Sequence, residues 1–476
     1  MINRLARLEV TLLAACSGLA LAQNHSGGAA DLHGIDRYIR AEMQLNEIPG
    51  VAVAIVRGNE ATTKAYGLKS LASGEPMTPD TPVELASASK PFTALAVLQL
   101  VKAGKLNVEL PAARYLPELS AGDGSALERI TVRHLLRQTS GFARRNNFLA
   151  PCCGQPGEFD LPLAVRKLRT ASFRRAPGAA FVYADSNYVL LAALVERLSG
   201  LPFPAYMRTH VFLPLGMPRT TLDRREALGW GLAGAHERQW GRLRPSPSRF
   251  FGWYGASLAR STANDMGRFL AELLSGRTEL LGAGMRFEPP YDWGWFITPR
   301  AEWLDGSLVL EHTGDIWGGS AAVLIAPERK LGVAVLLNAG VNRAGEIARG
   351  LLARTAGLEG PGPSVASRIN DPDFWAICLT VASALILAGL VAYVARVWAE
   401  FRRGERKFTG VKDWRLRARM ILLLAMAGCL LVLALDGGGP PPASLPSTVR
   451  LAWPLFAASF AGVLTVAALL SPTARS

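Results

Sequence analysis

The chain has 476 residues, half of them apolar, which is enough to bury a sizeable core in one large domain with further segments attached. Its net charge of +14 does not mark a nucleic-acid-binding protein, because nine basic and three acidic residues crowd the stretch from Arg396 to Arg419, between two apolar runs. A cytoplasmic membrane loop has that pattern, and the rest of the basic excess is spread thinly over an ordinary solvated surface.

The N-terminus reads as an export signal over residues 1–22. Arg4 and Arg7 precede the apolar stretch Val10–Ala22, which ends in the small-x-small pattern Ala20-Leu21-Ala22 ahead of Gln23. Roughly thirteen apolar residues are too few for a spanning helix. Leu13-Ala14-Ala15-Cys16 also resembles a lipobox, which would put a lipid on Cys16. Glu9 leaves little apolar run before that cysteine, so ordinary cleavage is the expectation.

Residues 31–358 carry the soluble domain. The pattern predicts an opening helix over 31–46, then a hairpin of Val51–Val56 and Ala61–Tyr66 around Arg57-Gly58-Asn59-Glu60. Helical spacing follows at 91–104, 130–138, 187–199 and 263–275. A second hairpin joins Ala321–Ala326 to Leu331–Leu337 through Pro327-Glu328-Arg329-Lys330, and Ala344–Ala356 closes the domain as a helix. Strands at both ends with helices between imply an α/β (α+β) fold. Its mainly antiparallel sheet is built from both termini, flanked by helices, and carries a helical insertion. Cys152 and Cys153 are adjacent, too close for an unstrained disulfide, so they read as two loop thiols or as partners for a cysteine in another molecule. No Cys/His cluster has metal-ligand spacing, and no cofactor is expected.

Residues 359–373 form a Pro/Gly-rich linker, with Glu359-Gly-Pro-Gly-Pro-Ser and Asn370-Asp-Pro-Asp. Residues 374–476 read as a membrane domain with three transmembrane helices, Phe374–Ala395, Met420–Leu435 and Leu451–Leu470. The second run is short and relies on its flanking arginines reaching the interface. The basic loop 396–419 should stay cytoplasmic, which puts everything before Phe374 outside and Gly437–Pro442 in an outer loop. The export signal demands the same side. The expectation is a multi-pass protein of the cytoplasmic (inner) membrane with its soluble domain facing outward and the lipid bilayer as a partner.

Three short segments carry chemistry. Ser87-Ala88-Ser89-Lys90, at a helix start, sets a hydroxyl and an ammonium one turn apart on one face. The lysine can take or relay the serine proton if burial lowers its pKa, and helix N-terminal amides favour negative charge developing there. Any Ser-x-x-Lys on a surface helix looks the same. Tyr183-Ala184-Asp185-Ser186-Asn187-Tyr188 forms a polar turn ahead of the apolar helix Val189–Leu198. A tyrosine near a lysine can relay protons, though a loop tyrosine packed by its ring is the commoner case. Glu311-His312-Thr313-Gly314-Asp315 brings a hydroxyl, an imidazole and a glycine that permits close backbone approach, suited to the wall of a cleft or to a plain strand-end turn.

Taken in this order, the three segments resemble those of the serine penicillin-binding-protein/β-lactamase superfamily, especially its class C β-lactamase, D-alanyl-D-alanine peptidase and esterase branch. Ser87-Ala88-Ser89-Lys90 matches its Ser-x-x-Lys, and His312-Thr313-Gly314 its Lys/His-Thr-Gly. Pro49-Gly50-Val51-Ala52-Val53, Lys105–Val108, Thr131–Leu136 with Thr139-Ser140-Gly141, and Trp293-Gly294-Trp295 also look like this branch. The resemblance runs from about residue 35 to 356. It implies Ser87 as acylated nucleophile, Lys90 as its proton partner and Tyr183 as general base. It also implies an oxyanion hole from the Ser87 and Asp315 amides, with Thr313 and Gly314 lining the substrate site. Two departures stand out. Asp185 occupies the asparagine position of Tyr-x-Asn, so a substrate amide contact is altered or passes to Asn187. His312 replaces a lysine and would offer a substrate carboxylate only a neutral hydrogen-bond donor whose charge varies near pH 6.5. The function these features imply is an extracytoplasmic serine hydrolase that cleaves an ester or amide, with a small-molecule or peptidoglycan-like acyl substrate. The alternatives are a β-lactamase or D-alanyl-D-alanine carboxypeptidase, or a non-catalytic envelope-binding or sensing protein of the same fold.

Overall fold

Val51–Val56 and Leu331–Leu337 are unbroken apolar runs, and in the computed structural model they form the buried centre of a sheet. The structure describes residues 32–120, 126–143, 160–246, 252–276, 287–316, 318–365 and 372–404. The strands are β1 Gly50–Arg57, β2 Glu60–Gly67, β3 Val83–Glu84, β4 His236–Gln239, β5 Arg242–Pro245, β6 Arg260–Ser261, β7 Tyr291–Asp292, β8 Trp295–Ala301, β9 Ser307–Ile316, β10 Gly319–Ala326 and β11 Leu331–Leu337. The helices are α1 Leu32–Asn46, α2 Lys90–Lys102, α3 Val132–Leu136, α4 Leu161–Leu168, α5 Asp185–Ser199, α6 Phe203–Tyr206, α7 Arg224–Gly229, α8 Ala263–Leu274, α9 Ala344–Thr355 and α10 Pro372–Arg402.

Both predicted hairpins form, and they pair with each other. The main sheet runs β2-β1-β11-β10-β9-β8-β7, antiparallel throughout, with Val53 opposite Val335 where the chain's two ends meet. Alternation splits each central strand between two cores. Ala52, Ala54 and Val56 join the core that continues into the helical insertion, whereas Val51, Val53 and Ile55 face α1 and α9. Burial on both faces is why these strands read as continuous apolar runs rather than as alternating ones. Gly267 of α8 lies so near Ala54, Ala61 and Thr63 that a side chain there would crowd the sheet.

In the insertion, α5 is the central helix, with Ser186 to Val195 buried. Polar residues begin this helix at Asp185, so the turn expected before Val189 is shorter than its sequence suggests. The segment 311–315 lies within β9, where a strand-end turn was one reading.

The leader 1–22 with Cys16, the Cys152–Cys153 pair, the spans 420–435 and 451–470 and the loop 437–442 lie outside the described residues. The first expected span falls within α10, a continuous 31-residue helix. Among the described residues no single helix is long and apolar enough to cross a membrane.

Behind the sheet, α1 and α9 are locked by a buried ion pair. Arg343 donates to both Glu42 oxygens at 2.8 and 3.0 Å, and Asn46 donates to Glu42 Oε2 at 2.9 Å. Ser364 of the linker joins the cluster as an acceptor, from Arg343 at 3.0 Å through Oγ and from Asn46 at 3.0 Å through its carbonyl. Removing one partner of such a pair strands a buried charge. Arg343→Met should therefore cost about 3–5 kcal/mol, read as a fall in the unfolding midpoint of the full-length protein in detergent. A loss below about 1 kcal/mol, the range of an exposed pair, would show that this one is not structural.

Candidate active site

From Thr81 to Leu98 every residue is buried except Ser87, which is partly exposed. Ser87 sits in a 3-10 turn, Ala86–Ser89, that runs directly into α2, with Pro91 in the first turn of the helix, where its missing N–H leaves no bond unmade. Ala86 holds φ +47°, a strained conformation for a residue with a Cβ, immediately before the Ser87 hydroxyl. Ser89, the other hydroxyl of the motif, is structural: it donates to the Ala86 carbonyl at 2.6 Å and accepts from Ala259 N–H at 3.0 Å.

Lys90 is wholly buried. Its Nζ lies 3.1 Å from Ser87 Oγ, 2.7 Å from Asp185 Oδ1 and 2.9 Å from the Ala256 carbonyl. It also rides over two rings, 4.9 Å from the Tyr183 centroid and 5.7 Å from that of Tyr188. Burial alone would push the lysine down, but the Asp185 carboxylate outweighs it and holds the group above its usual range. The condition that burial lower the lysine's pKa is therefore not met while the Asp185 carboxylate stands beside it.

Asp185 opens α5 and its Oδ1 accepts from Lys90, so the contact expected of an asparagine at this position is altered. Asn187 does not replace that contact either. It is fully buried, and its amide is donated to Gln138 Oε1, which also accepts from Ala184 N–H at 3.0 Å. Gln138 thus clamps the turn carrying Tyr183, a role that nothing about an isolated glutamine in the sequence announces. Tyr183 stacks on Phe296 at 5.9 Å. Its hydroxyl is buried beside Ser87 and Lys90, makes no hydrogen bond of normal geometry, and is pushed up by burial, so it rests as a phenol.

The third segment comes from β9. A Cβ on Gly314 would stand 2.0 Å from the Leu85 carbonyl and 2.8 Å from Ser87 N, so only glycine lets the strand touch the Ser87 turn. Gly294 does the same from the Trp293-Gly294-Trp295 stretch, where a Cβ would meet Pro91 Cα at 2.7 Å. Thr313 is turned toward α9, where its methyl would crowd any side chain at Gly345. The Asp315 carboxylate accepts from Ser320 Oγ at 2.6 Å. Strand alternation therefore leaves His312 and Gly314 as the members of this segment whose faces meet the Ser87 turn.

His312 corrects another expectation. Its Nδ1 is 2.7 Å from the Thr313 carbonyl, which can only accept, so Nδ1 carries the proton and Nε2 accepts from Tyr291 O–H at 3.2 Å. Both nitrogens are engaged inside the protein and neither is free to donate to a substrate carboxylate. Burial, reinforced by the Lys90 ammonium, lowers its pKa to about 3, so its charge does not vary near pH 6.5.

Two outcomes follow. The unfolded imidazole takes its proton near pH 6.5 and the folded one only near 3, so acid drains stability through this window. Going from pH 7 to 5 should cost the wild type about 2 kcal/mol more than His312→Gln; equal losses in paired denaturation curves would refute the neutral, buried imidazole. Gly314→Ala should abolish fluorophosphonate labelling of Ser87 by forcing β9 away from the turn, and full labelling would mean that the close approach is dispensable.

Residues 35–357 match the family model described as Beta-lactamase. Protein flp of Staphylococcus aureus (strain MW2) is 25% identical over 416 residues, covering 84% of this chain and 82% of that protein. Esterase EstB of Burkholderia gladioli is 36% identical over 184 residues, 36% of this chain and 46% of the esterase. The octameric penicillin-binding protein homologue from Pyrococcus abyssi shares the fold, with a TM-score of 0.60 at 23% identity over 75% of this chain and 81% of its own. With more than half of its length matched by that model, the chain belongs to the beta-lactamase family, within the superfamily of serine-hydrolase type that includes penicillin-binding proteins and esterases.

Proposed function

We propose that this protein is a membrane-anchored, extracytoplasmic serine hydrolase that cleaves a small ester or amide of cell-envelope type through an acyl-Ser87 intermediate. The observation that carries this reading is the 3.1 Å contact between Ser87 Oγ and Lys90 Nζ, made at the one partly exposed position of an otherwise buried segment. Ser87 attacks the acyl carbon and Lys90 handles its proton. The oxyanion is received by the amides of Ser87 and Asp315, the latter next to Gly314, which brings β9 against the Ser87 turn. Amides fixed in place before the reaction stabilise the developing charge without reorganising, and in acyl transfer this is usually what lowers the barrier most.

Anchoring rests on the sequence pattern alone, which reads Phe374–Ala395 as an uncharged, mostly apolar run of roughly twenty residues. The match to flp spans 84% of the chain, whereas residues 35–357 make up about two thirds of it and only 34 residues precede them. The likeness therefore continues past the soluble domain into the C-terminal part. Basic residues at 396–419 and the leader at 1–22 put the soluble domain outside.

An ester is preferred over a β-lactam or D-alanyl-D-alanine peptide. Position 312 supplies a neutral imidazole turned inward, and the neighbouring wall is aromatic, with Phe296 between Phe181 and Tyr183. A missing charge-assisted hydrogen bond to a substrate carboxylate is worth about 1.5–3 kcal/mol, roughly ten- to a hundredfold in kcat/KM. In detergent-solubilised full-length protein, kcat/KM for p-nitrophenyl butyrate should exceed that for nitrocefin, and Ser87→Ala should abolish both. A preference for nitrocefin would favour the β-lactamase reading, and residual ester turnover in Ser87→Ala would remove Ser87 as nucleophile.

A further inference from the structure

The three neighbours of Lys90 Nζ define a proton path. The Ala256 carbonyl can only accept, and so can the Asp185 carboxylate, so two Nζ–H bonds are committed to them. The third contact, to Ser87 Oγ, has two forms with the same heavy-atom positions. An ammonium donates to the hydroxyl oxygen and cannot take its proton. A neutral amine accepts that proton through its lone pair. Attack by Ser87 needs the second form, and a proton must leave Nζ to create it.

Where it goes follows from what faces the pair. Tyr183 and Tyr188 lie under the ammonium, while His312 stands close enough to Lys90 to feel its charge and has Tyr291 behind it. The three phenols are pushed up by burial and already hold their protons, and the imidazole is committed at both nitrogens. Of these groups Asp185 is the carboxylate, and its oxygen lies 2.7 Å from Nζ, within the 2.6–3.2 Å reach of direct proton transfer.

Building on the hydrolase reading above, we infer that Asp185, acting through Lys90, is the terminal acceptor of the Ser87 proton during acylation, in place of Tyr183. As the Oγ–C bond forms, the Oγ–H proton passes to Nζ and an Nζ–H proton passes to Asp185 Oδ1, while the carbonyl π pair becomes the oxyanion. When the tetrahedral species collapses, the C–O bond to the leaving group breaks. The proton returns from Asp185 through Lys90 to the leaving oxygen, or stays until product release if that oxygen leaves as an anion. Lys90 ends each half-step as an ammonium, so the buried charge count never changes. Asp185 is thus a positioning residue that sets the protonation of Lys90. Tyr183 is left as an aromatic wall and a neutral donor.

The test is the burst of p-nitrophenol released from p-nitrophenyl butyrate by the full-length protein, with fluorophosphonate labelling of Ser87 as a check on the site. Asp185→Asn should slow the burst about a hundredfold or more at pH 7. Its rate should then rise with pH, following the neutral fraction of Lys90, whose pKa burial pushes down once the carboxylate charge is gone, whereas the wild type stays flat from about pH 6 to 9. Asp185→Glu should restore the rate to within tenfold, which a merely structural role for the position would not predict, and Tyr183→Phe should lose less than Asp185→Asn. If Asp185→Asn keeps a burst within threefold of wild type with an unchanged pH profile, or if Tyr183→Phe proves the more damaging change, the relay through Asp185 is wrong and the hydrolase reading stands. If wild-type Ser87 neither labels nor turns over, the hydrolase reading falls and takes the relay with it.

Discussion

A buried ammonium is the constraint around which this site is built. Lys90 has no contact with water, and an isolated charge in such a place would be lost by deprotonation. Here it is retained because one carboxylate, one carbonyl and one hydroxyl occupy its three donor directions, with aromatic faces beneath. The rest follows. Asp185 must begin a helix that points its first turn at α2, so α5 is buried along most of its length to hold that end still. The 252–260 segment must bring Ala256 within reach, and it is tied to the Ser87 turn through Ser89 and Thr93, which donates to the Gly255 carbonyl at 2.8 Å.

The fold supplies the remaining wall by joining its two ends. Because β1 pairs with β11, the C-terminal hairpin and β9 are carried to the side of a segment more than two hundred residues earlier. The helical insertion then closes over that junction. Glycines at 294 and 314 remove the side chains that would keep backbone from backbone, which is what close packing of strand against helix start requires here. Ser87 is therefore positioned by elements from three separate stretches of chain. The strain at Ala86 is tolerated because the surrounding contacts leave the turn no alternative.

The same arrangement explains why two familiar-looking positions behave unexpectedly. The carboxylate at 185 pairs with the buried cation of Lys90, because attraction between unlike charges is strong where water is excluded. An imidazole in place of an ammonium at 312 does not imitate a weaker cation. With a carbonyl on one nitrogen and a phenol on the other, it becomes part of the wall.

What the sequence determined by itself was everything carried by local pattern. Apolar runs of strand length, the turns between them and the 3.6-residue periods marked both hairpins and most helices, and the motif at 87–90 marked the turn that sets Ser87 beside Lys90. The uncharged run at 374–395 and the basic cluster after it are legible in the same way, since hydropathy and charge are properties of neighbours along the chain. Only the tertiary structure decided which partner each polar side chain would take. Asp185 is 95 positions from Lys90, Asn187 is 49 from Gln138, and His312 is 21 from Tyr291. The Ala256 carbonyl is a backbone group that any residue could have supplied. Protonation states depend on such long-range neighbours and on burial. The charge on Lys90, the neutrality of His312 and the pairing of Asp185 with Lys90 emerged only when those residues were brought together.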